Sequence, residues 1–245
     1  MNKPKMIMFD YGDTLVCESE FNTLKGHEAL FEYIVSNKNN LTPRQVDTFS
    51  EELFSKLIDV KEIGYELHEW QFDRFLYEYL EIEMSIPLSK VERVFWDNSS
   101  LGKHMPNVEK MLDYLNKKGI RSGVISNINF SGAALNDRIN RLLPGNNFEF
   151  IIASSEYMIR KPNPLLFELA LKKAGLNAED VWFCGDTVKM DVVGSASAGI
   201  FPVWYEDKVM ENPWRRKAKA KDIVPHCEHL HIYDWIELIE LLETC

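Results

Sequence analysis

No run of apolar residues in this chain approaches the ~18 that a membrane-crossing helix needs. The opening residues, Met1-Asn2-Lys3-Pro4-Lys5, lead into an apolar strand without the apolar region of a signal peptide. A cytoplasmic protein with no membrane partner is expected. Cysteine is scarce: Cys17, Cys184, Cys227 and Cys245 are scattered, with no framework spacing, so reduced thiols are expected rather than disulfides. A basic excess is lacking too. Lys and Arg number 28 against 38 Asp and Glu, a net charge of -10, which argues against sequence-independent nucleic-acid binding. A local basic pocket for an anion remains open. There is no internal repeat and no low-complexity tract. What is present is a hydrophobic fraction of 45% with 27% charged residues, enough for a packed core.

The pattern changes character twice along the chain. Ile7-Met8-Phe9 is short enough for a buried strand and ends on Asp10. Residues 20–100 read as successive helices. Gly26 to Val35 carries a helical apolar stripe, and Thr42-Pro43 reads as an N-cap with proline in the first turn. Phe49 to Ile58, Trp70 to Leu80 and Pro87 to Trp96 complete the set. From residue 106 strands and helices alternate: helix 106–118, strand 120–125, helix 132–143, strand 148–153, helix 164–174, strand 181–184, helix 191–198, strand 200–205 and helix 235–242. Alternation of this kind predicts an α/β fold with a doubly wound parallel sheet covered on both faces. The first strand belongs with it. Residues 1–19 and 101–245 therefore form the expected core, and 20–100 an inserted all-helical cap domain over the strand tips.

Three acids follow strands. Asp10 ends the first, and Asp186 and Asp191 follow Val181-Trp182-Phe183. Open α/β sheets place ligands at such strand ends. Carboxylates that converge there repel unless a cation lies between them, and an all-oxygen set suits Mg²⁺.

Four segments together resemble the haloacid dehalogenase (HAD) superfamily of hydrolases, over nearly the whole chain: Phe9-Asp10-Tyr11-Gly12-Asp13-Thr14-Leu15, Val124-Ile125-Ser126-Asn127, Arg160-Lys161-Pro162-Asn163-Pro164, and Gly185-Asp186-Thr187 with Asp191. Each alone has a plain structural reading, as a turn, a loop, a solvated base or a helix start. The resemblance implies a phosphatase acting on a small phosphorylated metabolite. Asp10 would be the nucleophile, a role that suits a carboxylate ionised at pH 7. Ser126 would hydrogen-bond the transferring phosphoryl group, and the Asn127 backbone N–H would add a donor. Lys161 would neutralise Asp10 and the phosphate. Asp10, the Gly12 carbonyl and Asp186 would bind Mg²⁺. Asp191 would hold a metal-bound water or orient Lys161. Thr187 is expected to cap the next helix, and Arg160 reads as a surface residue.

One position departs from the family. Its usual second aspartate, the general acid–base two residues after the nucleophile, is Gly12 here, with Asp13 where the family has glycine. General acid–base catalysis is worth ~10²–10⁴ in rate. Three readings stay open: leaving groups that need little protonation, a substitute acid (Asp13, Glu18, Glu20 or a cap residue), or poor turnover by a phospholigand-binding module. A 2-haloacid dehalogenase is the alternative enzyme class. It also lacks the second aspartate but works without Mg²⁺. The segment His226-Cys227-Glu228-His229-Leu230-His231 reads as a short strand with His229 and His231 on one face, rather than a metal site. The basic run from Trp214 to Lys221 reads as a solvated face. A monomer or a homodimer is expected.

Overall fold

Met6–Phe9 (β1) is buried along its whole length. Ile7 and Phe9 enter one apolar cluster, and Met6 and Met8 enter another on the opposite side. A strand covered on both faces needs this continuous apolar run. In the computed structural model, which describes residues 3–18, 20–207 and 224–244, β1 lies inside a six-stranded sheet. The other strands are Arg121–Ser126 (β6), Ile151–Ala153 (β7), Val181–Gly185 (β8), Phe201–Tyr205 (β9) and Leu230–Ile232 (β10), in the order β10-β9-β8-β1-β6-β7. Every pairing is parallel. This is the expected doubly wound α/β architecture. The predicted Phe148–Ala153 strand is shorter than expected, starting at Ile151.

Helices cover both faces. Val108–Lys118 (α6), Gly132–Leu142 (α7) and Trp235–Thr244 (α10) supply Met111, Leu115, Leu135, Ile139, Trp235 and Leu238 to one side. Pro164–Ala174 (α8) supplies Leu166, Phe167 and Ala170 to the other. Local signals set their ends. Asn163 caps α8 by accepting from the Leu165 N–H at 3.1 Å, with Pro164 in the first turn. Gly119 and Gly175 close α6 and α8 in the left-handed region, at φ +67° and +63°.

The segment between Val16–Cys17 (β2) and Lys103–His104 (β5) carries Thr23–Leu30 (α1), Pro43–Leu57 (α2), Asp59–Glu62 (α3), Glu69–Tyr79 (α4) and Leu88–Ser99 (α5). The antiparallel β2–β5 pair brings the two ends of this segment together. Its helices are as expected, and a Thr42–Gln45 capping box starts α2. One feature differs from the all-helical expectation. Ile34–Asn37 (β3) pairs antiparallel with Ile82–Met84 (β4). The stripe predicted to stay helical to Val35 ends in a 3₁₀ turn at Tyr33. β-Branched Ile34 and Val35 suit a strand once a partner is beside them, and the partner of Ile34 is Met84, 50 residues on. The segment is tied down beside the sheet's carboxyl end: Glu66 N donates to Met158 O at 2.9 Å and Glu69 N to Asn129 O at 2.8 Å.

His27 is buried inside this segment, with Tyr77 Oη 3.4 Å from Nδ1 and Asp47 Oδ1 3.9 Å from Nε2. Burial lowers its pKa from 6.5 to about 4, with Asp47 opposing. Between those two values the unfolded chain binds a proton that the folded chain does not, so stability falls as pH falls through that window. The size is about 3 kcal/mol. Urea denaturation of the wild type and His27→Gln from pH 7 to pH 4 should show the wild type losing that much more stability than the variant. Parallel losses would contradict the burial argument.

Candidate active site

The carboxyl ends of β1, β6 and β8 place Asp10, Ser126 and Asp186 side by side. The register aligns Phe9 with Cys184 and Val124, and Asp10 N donates to Cys184 O at 2.9 Å. Lys161 arrives from the loop before α8. Its Nζ lies 2.6 Å from Asp10 Oδ1 and 2.7 Å from Asp191 Oδ1, with only 1% of the residue exposed. Burial works to discharge this ammonium, but Asp10 and Asp191 outweigh it and its pKa moves up. Asp191 is pushed up to about 7, by burial first, with Asp10 and Asp186 adding and Lys161 opposing.

Asp191 reaches the site because the chain after β8 winds as a π-helix, Val188–Val193, before Gly194–Ser197 (α9). The predicted helix at 191–198 thus begins earlier and wider. Asp191 Oδ2 accepts from Thr187 N at 2.9 Å, so both of its oxygens are engaged within the protein. Its bond to Lys161 Nζ is the contact that the lysine-orienting expectation asks for. The other bond corrects the expectation for Thr187: its hydroxyl makes no cap and instead bonds Asp186 Oδ1 at 3.3 Å, while the Asp191 carboxylate takes the N–H. Gly185 is required by this closeness. A Cβ there would overlap the Asp191 Cβ and Cγ. Gly185→Ala should therefore cost about 1–3 kcal/mol of stability, as overpacking does, read by urea denaturation. A stability equal to wild type would show that Asp191 can move freely.

Asn127 Nδ2 donates to Lys161 O at 2.9 Å and Asn127 Oδ1 accepts from Lys161 N at 2.8 Å. Its side chain thus fixes the lysine loop, a role the sequence did not suggest. Asp10, Asp186 and Asp191 each offer an oxygen within 4.8 Å of the others, the one such group among the described residues. Hard oxygen donors with net negative charge beside a single ammonium fit a divalent cation such as Mg²⁺.

These residues line a cavity of about 530 Å³. Gly12, Ser126 and Asn127 line it from the core, and Phe21, Phe54, Glu69, Phe95 and Trp96 from the inserted segment. Arg160, expected at the surface, also lines it, and its Nη1 lies 3.6 Å from buried Glu66. Sequence reasoning missed Glu69, Asn129 and Arg138. No motif marks them, because each reaches the site through a partner distant in the chain. Glu18 is held by Arg138, with Nε–Oε1 and Nη2–Oε2 both at 3.0 Å, and accepts from Tyr11 Oη at 2.9 Å. Asp13 adopts φ +52°, a left-handed turn that Asp tolerates. Gly12 has no positive φ, so the left-handed position of this turn falls on Asp13 and not on the glycine.

Residues 4–199 match the model for haloacid dehalogenase-like hydrolases. The chain belongs to that family. It is 26% identical over 205 residues to a glyceraldehyde 3-phosphate phosphatase of Pyrococcus abyssi, covering 82% of this chain and 81% of the relative. Among solved structures, a HAD phosphatase from Thermococcus onnurineus superposes with TM-score 0.62 at 16% identity, covering 97% of both chains. A 2-haloacid dehalogenase from Pseudomonas syringae superposes with TM-score 0.61 at 21% identity, covering 98% of this chain and 99% of that one. Phosphatase and dehalogenase thus share this HAD fold equally well, and the fold alone does not choose between them. No described helix is long and apolar enough to cross a membrane.

The 226–231 segment forms no metal cluster among the described residues. His231 stacks on Trp204 with centroids 4.0 Å apart and lies 3.0 Å from Glu206, while His229 Nδ1 contacts Cys227 O at 2.8 Å. Both rings lie against Trp204, on one face as expected, but the strand begins only at Leu230 and leaves His229 before it. The basic run 214–221 lies outside the described residues.

Proposed function

We propose that this hydrolase is a Mg²⁺-dependent phosphatase of a small phosphorylated metabolite, working through an aspartyl-phosphate on Asp10. The observation that supports it most is the Lys161 ammonium joined to Asp10 and Asp191 beside Asp186. Asp10 attacks phosphorus. Lys161 stays charged and holds Asp10 and the phosphoryl oxygens together, and Ser126 with the Asn127 N–H bonds those oxygens. Asp191 keeps Lys161 in place. Asp10, the Gly12 carbonyl and Asp186 would hold Mg²⁺, which supplies charge neutralisation for the transferring phosphoryl group. Residues 20–100 act as the cap over this core, supplying the apolar wall that faces the leaving group.

Glyceraldehyde 3-phosphate is a first substrate to try, given the relatives so named. With it, p-nitrophenyl phosphate and acetyl phosphate, phosphate release should require Mg²⁺ and stop on adding EDTA. Chloride release from 2-chloropropionate that survives EDTA would overturn this reading in favour of a dehalogenase. A thermal shift with a phosphorylated ligand but no phosphate release from any probe would favour a binding module.

A further inference from the structure

The family's general acid is missing at Gly12, yet the cavity is not short of acids. Asp10, Asp186 and Asp191 form the phosphoryl and metal end. Both Glu18 oxygens are taken up by Arg138 Nε and Nη2, each at 3.0 Å, and that side chain is only 2% exposed. Asp13 does not line the cavity, and neither does Glu20. Among the described lining residues one acid is left, Glu69, at the start of α4.

Resting on the phosphatase reading, we infer that Glu69 is the acid that protonates the leaving group in place of the family's missing aspartate. Its position supports this. In-line displacement puts the leaving oxygen on the side of phosphorus opposite Asp10. Asp10 attacks from the sheet, so that oxygen faces the inserted segment, which carries Glu69. Two hydrogen bonds join Glu69 to Asn129, three residues beyond the phosphoryl-binding Ser126. Glu69 N donates to Asn129 O at 2.8 Å, and Asn129 Nδ2 donates to Glu69 Oε2 at 2.6 Å. The acid is thereby fixed to the loop that holds the transferring group.

Glu69 is 5% exposed. Burial raises its pKa to about 7, against the Asn129 hydrogen bond, with Glu92 of α5 adding and Lys61 of α3 opposing. Burial pushes the Asp73 carboxyl, one turn along α4, well above the usual carboxylate range, with Glu69 and Glu92 adding. Glu92 is itself bound to Ser131 N and Oγ at 2.9 and 2.6 Å. A carboxyl that titrates near 7 can hold a proton and give it up at the working pH. In the first step, an Asp10 oxygen bonds to phosphorus. The bond from phosphorus to the leaving oxygen breaks, and that oxygen keeps the electron pair and takes the Glu69 proton. In the second, water attacks phosphorus, Glu69 takes a water proton, and the Asp10 carboxylate and inorganic phosphate are released.

The test compares leaving groups. For the first step, kcat/KM is measured for glyceraldehyde 3-phosphate, whose alkoxide needs a proton, and for p-nitrophenyl phosphate, whose phenolate does not. Glu69→Gln keeps the Asn129 bond and should lower the first by ~10²–10⁴-fold while leaving the second within about threefold. Gly12→Asp added to Glu69→Gln should restore the first, since the backbone at position 12 needs no positive φ. An equal loss on both substrates, or no loss on the first, overturns the assignment. If the wild type hydrolyses neither probe with Mg²⁺ present, the phosphatase reading itself falls and takes this assignment with it.

Discussion

Asp10→Asn should abolish phosphate release from p-nitrophenyl phosphate while leaving the protein folded. The amide oxygen can still accept from Lys161 Nζ, which now bonds Asp10 Oδ1 at 2.6 Å. Buried polar groups therefore keep their partners, and stability by urea denaturation should stay within about 1 kcal/mol of wild type. The amide is no nucleophile, however, and it is a poorer ligand for a hard cation. Losing a nucleophile whose partners remain in place costs about 10⁴-fold or more. A variant rate within about tenfold of wild type would remove Asp10 from the chemistry.

Lys161→Met should damage both rate and stability, by a different route. Lys161 is the ammonium between Asp10 and Asp191, with Asp186 in the same group, and all are buried. Removing one partner of a buried ion pair costs about 3–5 kcal/mol because the other charge is left uncompensated. The phosphoryl group also loses its cation, a loss of about 10²–10³ in rate. A divalent cation can replace part of the missing charge. Millimolar Mg²⁺ should therefore raise the urea midpoint of Lys161→Met more than that of the wild type. An equal Mg²⁺ response in both proteins would mean that the carboxylates do not form one electrostatic unit.

The parallel core was legible because β1 and β8 carry unbroken apolar runs and α8 carries end signals. Met6–Phe9 and Val181–Cys184 have no other economical reading, and Asn163-Pro164 and Gly175 mark both ends of one helix. The site residues at strand tips were legible for the same reason: Asp10 and Asp186 end their strands. The ribbon of Ile34–Asn37 with Ile82–Met84 was not, because a strand pairing across half the inserted segment leaves no periodic mark in either partner. The π-turn that carries Asp191 back to Lys161 has no sequence signature either. It shows in the fold, where Val192 N donates to Thr187 O at 3.4 Å and Asp191 Oδ2 accepts from Thr187 N at 2.9 Å. Arg160 looked solvated because Glu66, its buried partner, lies 94 positions away. Glu69 carries no mark beyond that of an acid in the first turn of a helix, and its partner Asn129 lies 60 positions on.

The most direct test follows the Asp10 carboxylate during turnover. Wild type turning over p-nitrophenyl phosphate with Mg²⁺ is quenched in acid, treated with hydride and digested for peptide mass analysis. An aspartyl-phosphate reduces to homoserine, so homoserine should appear at position 10, and neither EDTA-treated enzyme nor Asp10→Asn should yield it. Sustained phosphate release with position 10 recovered only as aspartate would contradict covalent catalysis by this residue.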